Sequence, residues 1–162
     1  MIIRTVTMDD LNEVVELESD AFKMTKKQTE QDMIGRIENY PDTFLVAQED
    51  GKVIGHIFGP AFNKRYIEDE LYFENHPNQK DDRYQMVLSL AVLPEYRKQG
   101  VATKLIEAIA QEGRKQNRQA ISLTCLPKLI KFYEKRGFYN EGETNDDLSL
   151  IHISDGAREA CR

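Results

Sequence analysis

The segment that most constrains this chain is QMVLSLAVLPEYRKQGVATKLIEAIA, which begins at Gln85. Residues 85–92 are almost continuously apolar, the pattern of a strand covered on both faces rather than one with a wet side. Pro94 ends that strand, a basic turn of Arg97, Lys98 and Gln99 follows, and beyond Gly100 the residues Val101, Leu105, Ile106 and Ile109 recur at helical spacing. A buried strand turning through glycine into a long amphipathic helix belongs to a mixed α/β architecture. The same turn sets a row of unpartnered backbone N–H groups, at the positive end of a helix dipole, outside the carboxyl end of a strand. That suits an anion, and a pyrophosphate in particular. Gly100 permits close approach, Ala102 keeps the next turn narrow, and Arg97 and Lys98 add fixed positive charge. Neither GxxxxGK[ST] nor GxGxxG is present, so this is not a P-loop or a dinucleotide fingerprint. The plain alternative is a surface turn with solvated basic residues; the strand-to-helix position favours the cradle.

Upstream, residues 2–6 suit a first strand, and Thr7 leads into a helix with Asp9 and Asp10 in its first turn and Leu11, Val14, Val15 and Leu17 facing inward. A second helix begins near Thr29, buries Met33, Ile34 and Ile37, and stops at Tyr40-Pro41, where proline disfavours helix in the preceding residue. Residues 43–48 and 52–58 are strand-like and flank Asp50-Gly51, a pair suited to a tight hairpin turn. Residues 63–83 are polar and acidic, and a connection of about 20 residues is too long for ordinary loop duty in a compact domain. A short helix over 67–73 would present Leu71, Tyr72 and Phe73 to a pocket; otherwise the stretch is a solvated excursion. Downstream come a strand at 120–125, a helix at 128–136 stopped by Gly137, and strands at 138–141 and 148–153. The order predicts one mixed α/β domain over residues 1–154. Its central sheet is mixed, mostly antiparallel, with six to seven strands flanked by about four helices, and residues 155–162 form a frayed tail.

Charge narrows the partners. With 22 Lys and Arg against 28 Asp and Glu, net −6, the chain has no whole-molecule attraction for nucleic acid or anionic lipid, and a cationic substrate suits it better. No apolar run approaches the roughly 20 residues of a membrane span, and the N-terminus lacks a signal-peptide core, so a cytoplasmic protein is expected. Cys125 and Cys161, with three histidines and no CxxC, suggest neither a disulfide framework nor a metal site. Cys125 reads as a core thiol, His56 as a packing residue within its strand, and His76, Glu68, Asp69, Glu70 and Glu74 as solvated groups of the acidic stretch.

A second informative segment is LIKFYEKRGF, residues 129–138. Its Tyr133 lies on a helix expected beside the first one, and a phenol of pKa about 10 can protonate a departing thiolate of pKa about 8.5. The structural alternative is an ordinary buried aromatic. Together the two segments resemble the GCN5-related N-acetyltransferase (GNAT) superfamily, whose R/Q-x-x-G-x-G/A turn binds the pyrophosphate of acetyl-CoA. The resemblance implies that Arg97, Lys98, Gln99, Gly100, Val101, Ala102 and Thr103 hold the cosubstrate and that Tyr133 is the general acid. It also implies that the backbone of Leu90, Ala91 and Val92 pairs with the pantetheine arm, the Leu90 N–H polarising the thioester carbonyl. The similarity extends toward the serotonin (arylalkylamine) N-acetyltransferase branch through ELESDAF, EDGKVIGHIFG, ELYFENHP and LAVLPEYRKQG, over residues 1 to 143.

Two departures stand out. The paired strand histidines of that branch correspond to Met86 and Leu88 here, and an asparagine common after the next strand corresponds to Leu126. With Ser89 too weak a base, the ammonium proton falls to Glu70 or Asp20 acting through water, or to solvent. The implied activity is direct acetyl transfer from acetyl-CoA to a primary amine, a small cationic molecule, with no metal, nucleic acid or membrane; a homodimer is compatible with it. Two rivals remain open: acetylation of a protein N-terminus or lysine, and a catalytically idle acyl-CoA-binding sensor.

Overall fold

The computed structural model describes residues 1–143 and 149–154. Local chemistry fixes the first elements. Beyond β1 (Ile2–Thr5), the Thr7 N–H donates to Asp10 Oδ2 at 2.9 Å, and Arg4 clamps that carboxylate with two hydrogen bonds of 2.8 and 2.9 Å. The hydrogen bonds from Arg4 hold the Asp10 carboxyl below its ordinary range although burial opposes them. This clamp sets the start of α1 (Leu11–Phe22), which turns Val14, Val15 and Leu17 inward and closes at Lys23 in the left-handed region, φ 54°. α2 (Lys26–Asn39) starts at Thr25, whose hydroxyl accepts from the Gln28 N–H at 3.3 Å, and stops at Tyr40, before the proline. β2 (Phe44–Glu49) and β3 (Lys52–Phe58) form the expected hairpin, with φ of 50° at Asp50 and 79° at Gly51, both positive as a tight primed turn requires.

Two sheets form where one was expected. The first has the order β1-β2-β3-β6 and is antiparallel throughout, β6 being Ser89–Val92. The second joins β4 (Ala61–Phe62), β5 (Tyr84–Val87), β7 (Ala120–Cys125), β9 (Ser149–Ser154) and β8 (Phe138–Glu143), in that spatial order, with β5 and β7 parallel. The apolar run at 85–92, read from sequence as one strand, is therefore divided between sheets at Leu88. The cause is a β-bulge. Leu88 and Ser89 both oppose Phe58: the Leu88 N–H reaches the Phe58 carbonyl at 2.8 Å, while Ser89 is the register partner of Phe58. β7 follows β5 only as far as Leu123 opposite Val87, and beyond that point pairs with β9 alone, so the sheets splay between β6 and β7. The bulge demands glycine opposite it: a Cβ on Gly59 would lie 1.6 Å from the Met86 carbonyl oxygen.

Helices cover both faces. α1 and α2 bury Val14, Met33, Tyr40, Phe44 and Phe58 against one side of the first sheet. α4 (Val101–Lys115) and α5 (Ile130–Glu134) bury Leu105, Ile109, Ile57 and Leu123 on the other. The long acidic stretch contains α3 (Glu70–Phe73), which is fastened at both ends. Arg65 donates to Glu141 of β8 at 2.9 Å, the His76 N–H donates to the Tyr40 hydroxyl at 2.7 Å, and Asn78 bonds both the Ala61 N–H and Thr43. The frayed tail expected at 155–162 lies outside the described residues.

Candidate active site

At the turn after β6, Lys98 and Gly100 both adopt left-handed backbone, with φ of 63° and 85°. The Lys104 N–H is bonded to the Gly100 carbonyl at 3.0 Å, so the N–H groups of Val101, Ala102 and Thr103 precede the first intrahelical bond of α4. A Cβ on Gly100 would find nothing within 4 Å, so the turn opens outward. Arg97 folds back, its Nε donating to the Val92 carbonyl at 3.2 Å, and Gln99 caps the Glu95 carbonyl at 3.0 Å. The Thr103 hydroxyl accepts at 2.8 Å from Arg136, two residues beyond α5, which docks α5 beside the start of α4 as the sequence anticipated.

The strand leading into this turn has one free edge. The Leu93 N–H bonds the Ile54 carbonyl in the β3 register, so strand alternation directs the backbone of Ser89, Ala91 and Leu93 toward β3 and that of Leu90 and Val92 away from it. Of the three residues expected along the pantetheine, Leu90 and Val92 face the splay, whereas Ala91 pairs with His56 in the ladder.

Tyr133 is 7% exposed, edge-on to Phe132 and Phe138 at 5.0 and 5.4 Å between ring centres. Burial, with the nearby Cys125 adding to it, pushes its hydroxyl up to about 12, so the phenol keeps its proton at neutral pH. Cys125 is likewise buried, and desolvation raises its thiol to about 11, which makes it inert as a nucleophile.

Sequence reasoning missed a buried polar cluster on the other face of β6. Glu18 of α1 accepts from Ser89 Oγ at 2.5 Å and contacts His56 Nε2 at 2.9 Å through the same oxygen, while its second oxygen meets Arg36 Nη1 at 3.3 Å. His56 is fully buried, and its Nδ1 has no hydrogen-bond partner among the described residues, so it is Nε2 that faces the carboxylate and donates to it. Burial alone would raise the Glu18 carboxyl; the hydrogen bond from His56, the charges of His56 and Arg36 and the Ser89 hydroxyl outweigh it and hold the group below its ordinary value. The signal was present in ELESDAF, since Glu18 continues the spacing of Leu11, Val14 and Val15 on the apolar face of α1.

Arg36 stacks over Phe58, with its guanidinium carbon 4.5 Å from the ring centre, and forms the wall of a pocket of about 140 Å³ between α2 and α3. Leu71, Tyr72 and Phe73 all reach this pocket, although Phe73 is also 84% exposed. Tyr72 comes near the Thr124 side chain of β7, and desolvation raises its pKa. The two proposed bases lie elsewhere. Asp20 is exposed on α1, and Glu70 is on the exposed side of α3, 3.9 Å from His76. Glu70, Glu74 and His76 place ligand atoms within 4.8 Å of one another, but the Glu70 and His76 side chains are 43% and 56% exposed, as solvated groups are. Met86, at the place of one expected histidine, is fully buried.

Comparison with known proteins fits this geometry. A protein of Methanocaldococcus jannaschii named as an uncharacterized N-acetyltransferase is 33% identical over 109 residues, covering 67% of this chain and 56% of that protein. A Bacillus subtilis protein named as a probable hydrolase, YhcX, is 25% identical over 145 residues, covering 83% of this chain but 28% of that protein. The chain thus spans about half of one relative's length and about a quarter of the other's. Among solved structures, an aminoglycoside 6'-N-acetyltransferase complexed with coenzyme A superposes with a TM-score of 0.72 at 14% identity, over 98% of this chain and 99% of that one. The sequence model of the acetyltransferase (GNAT) family matches residues 11–138, most of the chain and all of the strand, turn and helix just described, and the protein belongs to that family.

Proposed function

We propose that this protein is an acetyl-CoA-dependent N-acetyltransferase that moves the acetyl group directly to a primary amine, a small cationic molecule in its free form. The observation that carries the reading is the free edge of β6 running into the outward-opening turn at Gly100. The N–H groups of Val101, Ala102 and Thr103, with Arg97, Lys98 and Gln99 around them, suit a pyrophosphate. The Leu90 backbone and the Val92 N–H are free to pair with a pantetheine arm lying in the splay, while the Val92 carbonyl already accepts from Arg97. That a protein of the same fold is complexed with coenzyme A supports CoA as the ligand class.

The Leu90 N–H then polarises the thioester carbonyl, and the neutral amine attacks its carbon from the α1 and α2 side. As the tetrahedral intermediate collapses, the C–S bond breaks and Tyr133 passes its proton to the departing sulfur. Proximity and orientation supply much of the acceleration. Glu18, kept ionised by its partners, is a weak base, so the ammonium proton leaves to water at the acceptor mouth rather than to Glu18, Asp20 or Glu70. The acidic surface draws the ammonium form to that mouth. The fastened α3 segment narrows it, which favours a small acceptor over a folded polypeptide, and the nearest kinship we read is with the arylalkylamine branch. Thiol release from acetyl-CoA, with mass-spectrometric detection of the acetylated amine, tests the proposal. Tight CoA binding without turnover of any amine would leave the binding-module reading instead.

A further inference from the structure

Arg36 is a buried charge that its partners answer only in part. The residue is 9% exposed, yet among the described residues its side chain makes one hydrogen bond, the 3.3 Å contact to Glu18. Glu18 holds it from behind and Phe58 supports one of its faces. Arg36 also lines the pocket between α2 and α3. Around the same wall stand two phenols that sense its charge. The Tyr40 hydroxyl already accepts from the His76 N–H, which leaves its own proton to donate, and Tyr72 stands near Thr124. Through Phe58 and Glu18 this wall adjoins β6 at Ser89. Phe58, beneath the guanidinium, is the register partner of Ser89, next to Leu90 in the chain.

A planar fork of donors, prealigned by an ion pair and a ring, matches a carboxylate. Two acids also line the pocket: Glu74 is exposed, so water screens it, and the half-buried Asp32 already accepts from the Gln28 side-chain amide at 3.0 Å, whereas Arg36 lies in the drier wall. We propose that Arg36 receives a carboxylate of the acceptor, so that the amine acetylated is an amino acid rather than a simple amine or polyamine. The assignment rests on the N-acetyltransferase reading and deepens it. The acceptor's ammonium still answers the acidic surface, and its carboxylate fixes its orientation.

The test needs no variant at first. Thiol release by the wild-type protein is measured with phenylalanine, leucine and lysine, each beside its methyl ester and its decarboxylated amine. The carboxylate-bearing member of at least one series should exceed both partners in kcat/KM by about tenfold or more, chiefly through KM. In Arg36→Lys, which keeps a cation beside Glu18 but loses the fork, that ratio should fall toward one, with melting temperature and CoA affinity confirming the fold. Equal or better use of esters and decarboxylated amines by the wild type would overturn the assignment, as would an undiminished ratio in Arg36→Lys. Intact CoA binding with no turnover of any compound would refute the acetyltransferase reading, and the carboxylate site with it.

Discussion

Two glycines offer a matched pair for testing the anion turn. Gly100 and Gly51 have φ of 85° and 79°, and in both a Cβ would meet nothing within 4 Å. An alanine at either position therefore suffers the same backbone strain, about 1–2 kcal/mol for a left-handed residue, with about 0.4–1 kcal/mol returned by the stiffer unfolded chain. A net loss on the order of 1 kcal/mol should lower the melting temperature of a domain this size by about 2–4 °C in each variant. Only at Gly100 does the new methyl stand where an anion would approach the N–H groups of α4. CoA affinity measured by calorimetry should fall at least about tenfold, or about 1.4 kcal/mol, in Gly100→Ala and stay at the wild-type value in Gly51→Ala. Gly100→Val should fall further. If Gly100→Ala binds CoA like the wild type, or if Gly51→Ala loses as much, the turn is not the pyrophosphate site.

Tyr133→Phe should lower kcat by roughly a hundredfold while leaving CoA affinity nearly unchanged, as single-turnover and binding measurements would reveal; a fully active variant would return Tyr133 to a packing role. Glu18→Gln should destabilise the fold by about 3 kcal/mol at neutral pH, because Arg36 is left buried and unpaired. Since the folded-state pKa of Glu18 lies below its reference value of 4.5, that contribution is present above about pH 4.5 and disappears as pH falls through the lower folded value, so urea midpoints of variant and wild type should converge in acid. Gly59→Ala should fail to yield a folded protein, since its Cβ would overlap the Met86 backbone; a cooperative melt near the wild-type temperature would contradict the bulge geometry.

The strand, glycine turn and helix from Leu90 to Ile109 were legible because each rests on local chemistry: continuous apolar residues, a proline stop, a glycine and helical spacing. The hairpin at Asp50-Gly51 and the stops at Tyr40 and Gly137 were legible for the same reason. The division at Leu88 was not, because a bulge depends on which residue of β3 lies opposite, and nothing in an apolar run records its partner. Glu18, His56 and Ser89 come from three separate elements, and each alone looked like a helix acid, a packing histidine or a weak hydroxyl. Arg36 was hidden among the polar residues of α2, and only the ring of Phe58 and the carboxylate of Glu18 distinguish it from a surface arginine.

The extra residue at Leu88 acts on parity. In β5 the even-numbered positions turn their N–H groups toward the preceding strands, as Met86 does toward Pro60 and Leu88 toward Phe58. Had that alternation continued unbroken, Leu90 and Val92 would also have faced β3, and the edge beside β7 would have presented Ser89 and Ala91. One inserted residue exchanges odd for even. It sends the Leu90 N–H outward and leaves the Ser89 hydroxyl over Glu18, so the two ends of a single strand keep opposite phases. Substitutions that preserve length can redecorate either half without altering which amide faces the splay, whereas a single deletion between Val87 and Ser89 would hand that place to a different amide.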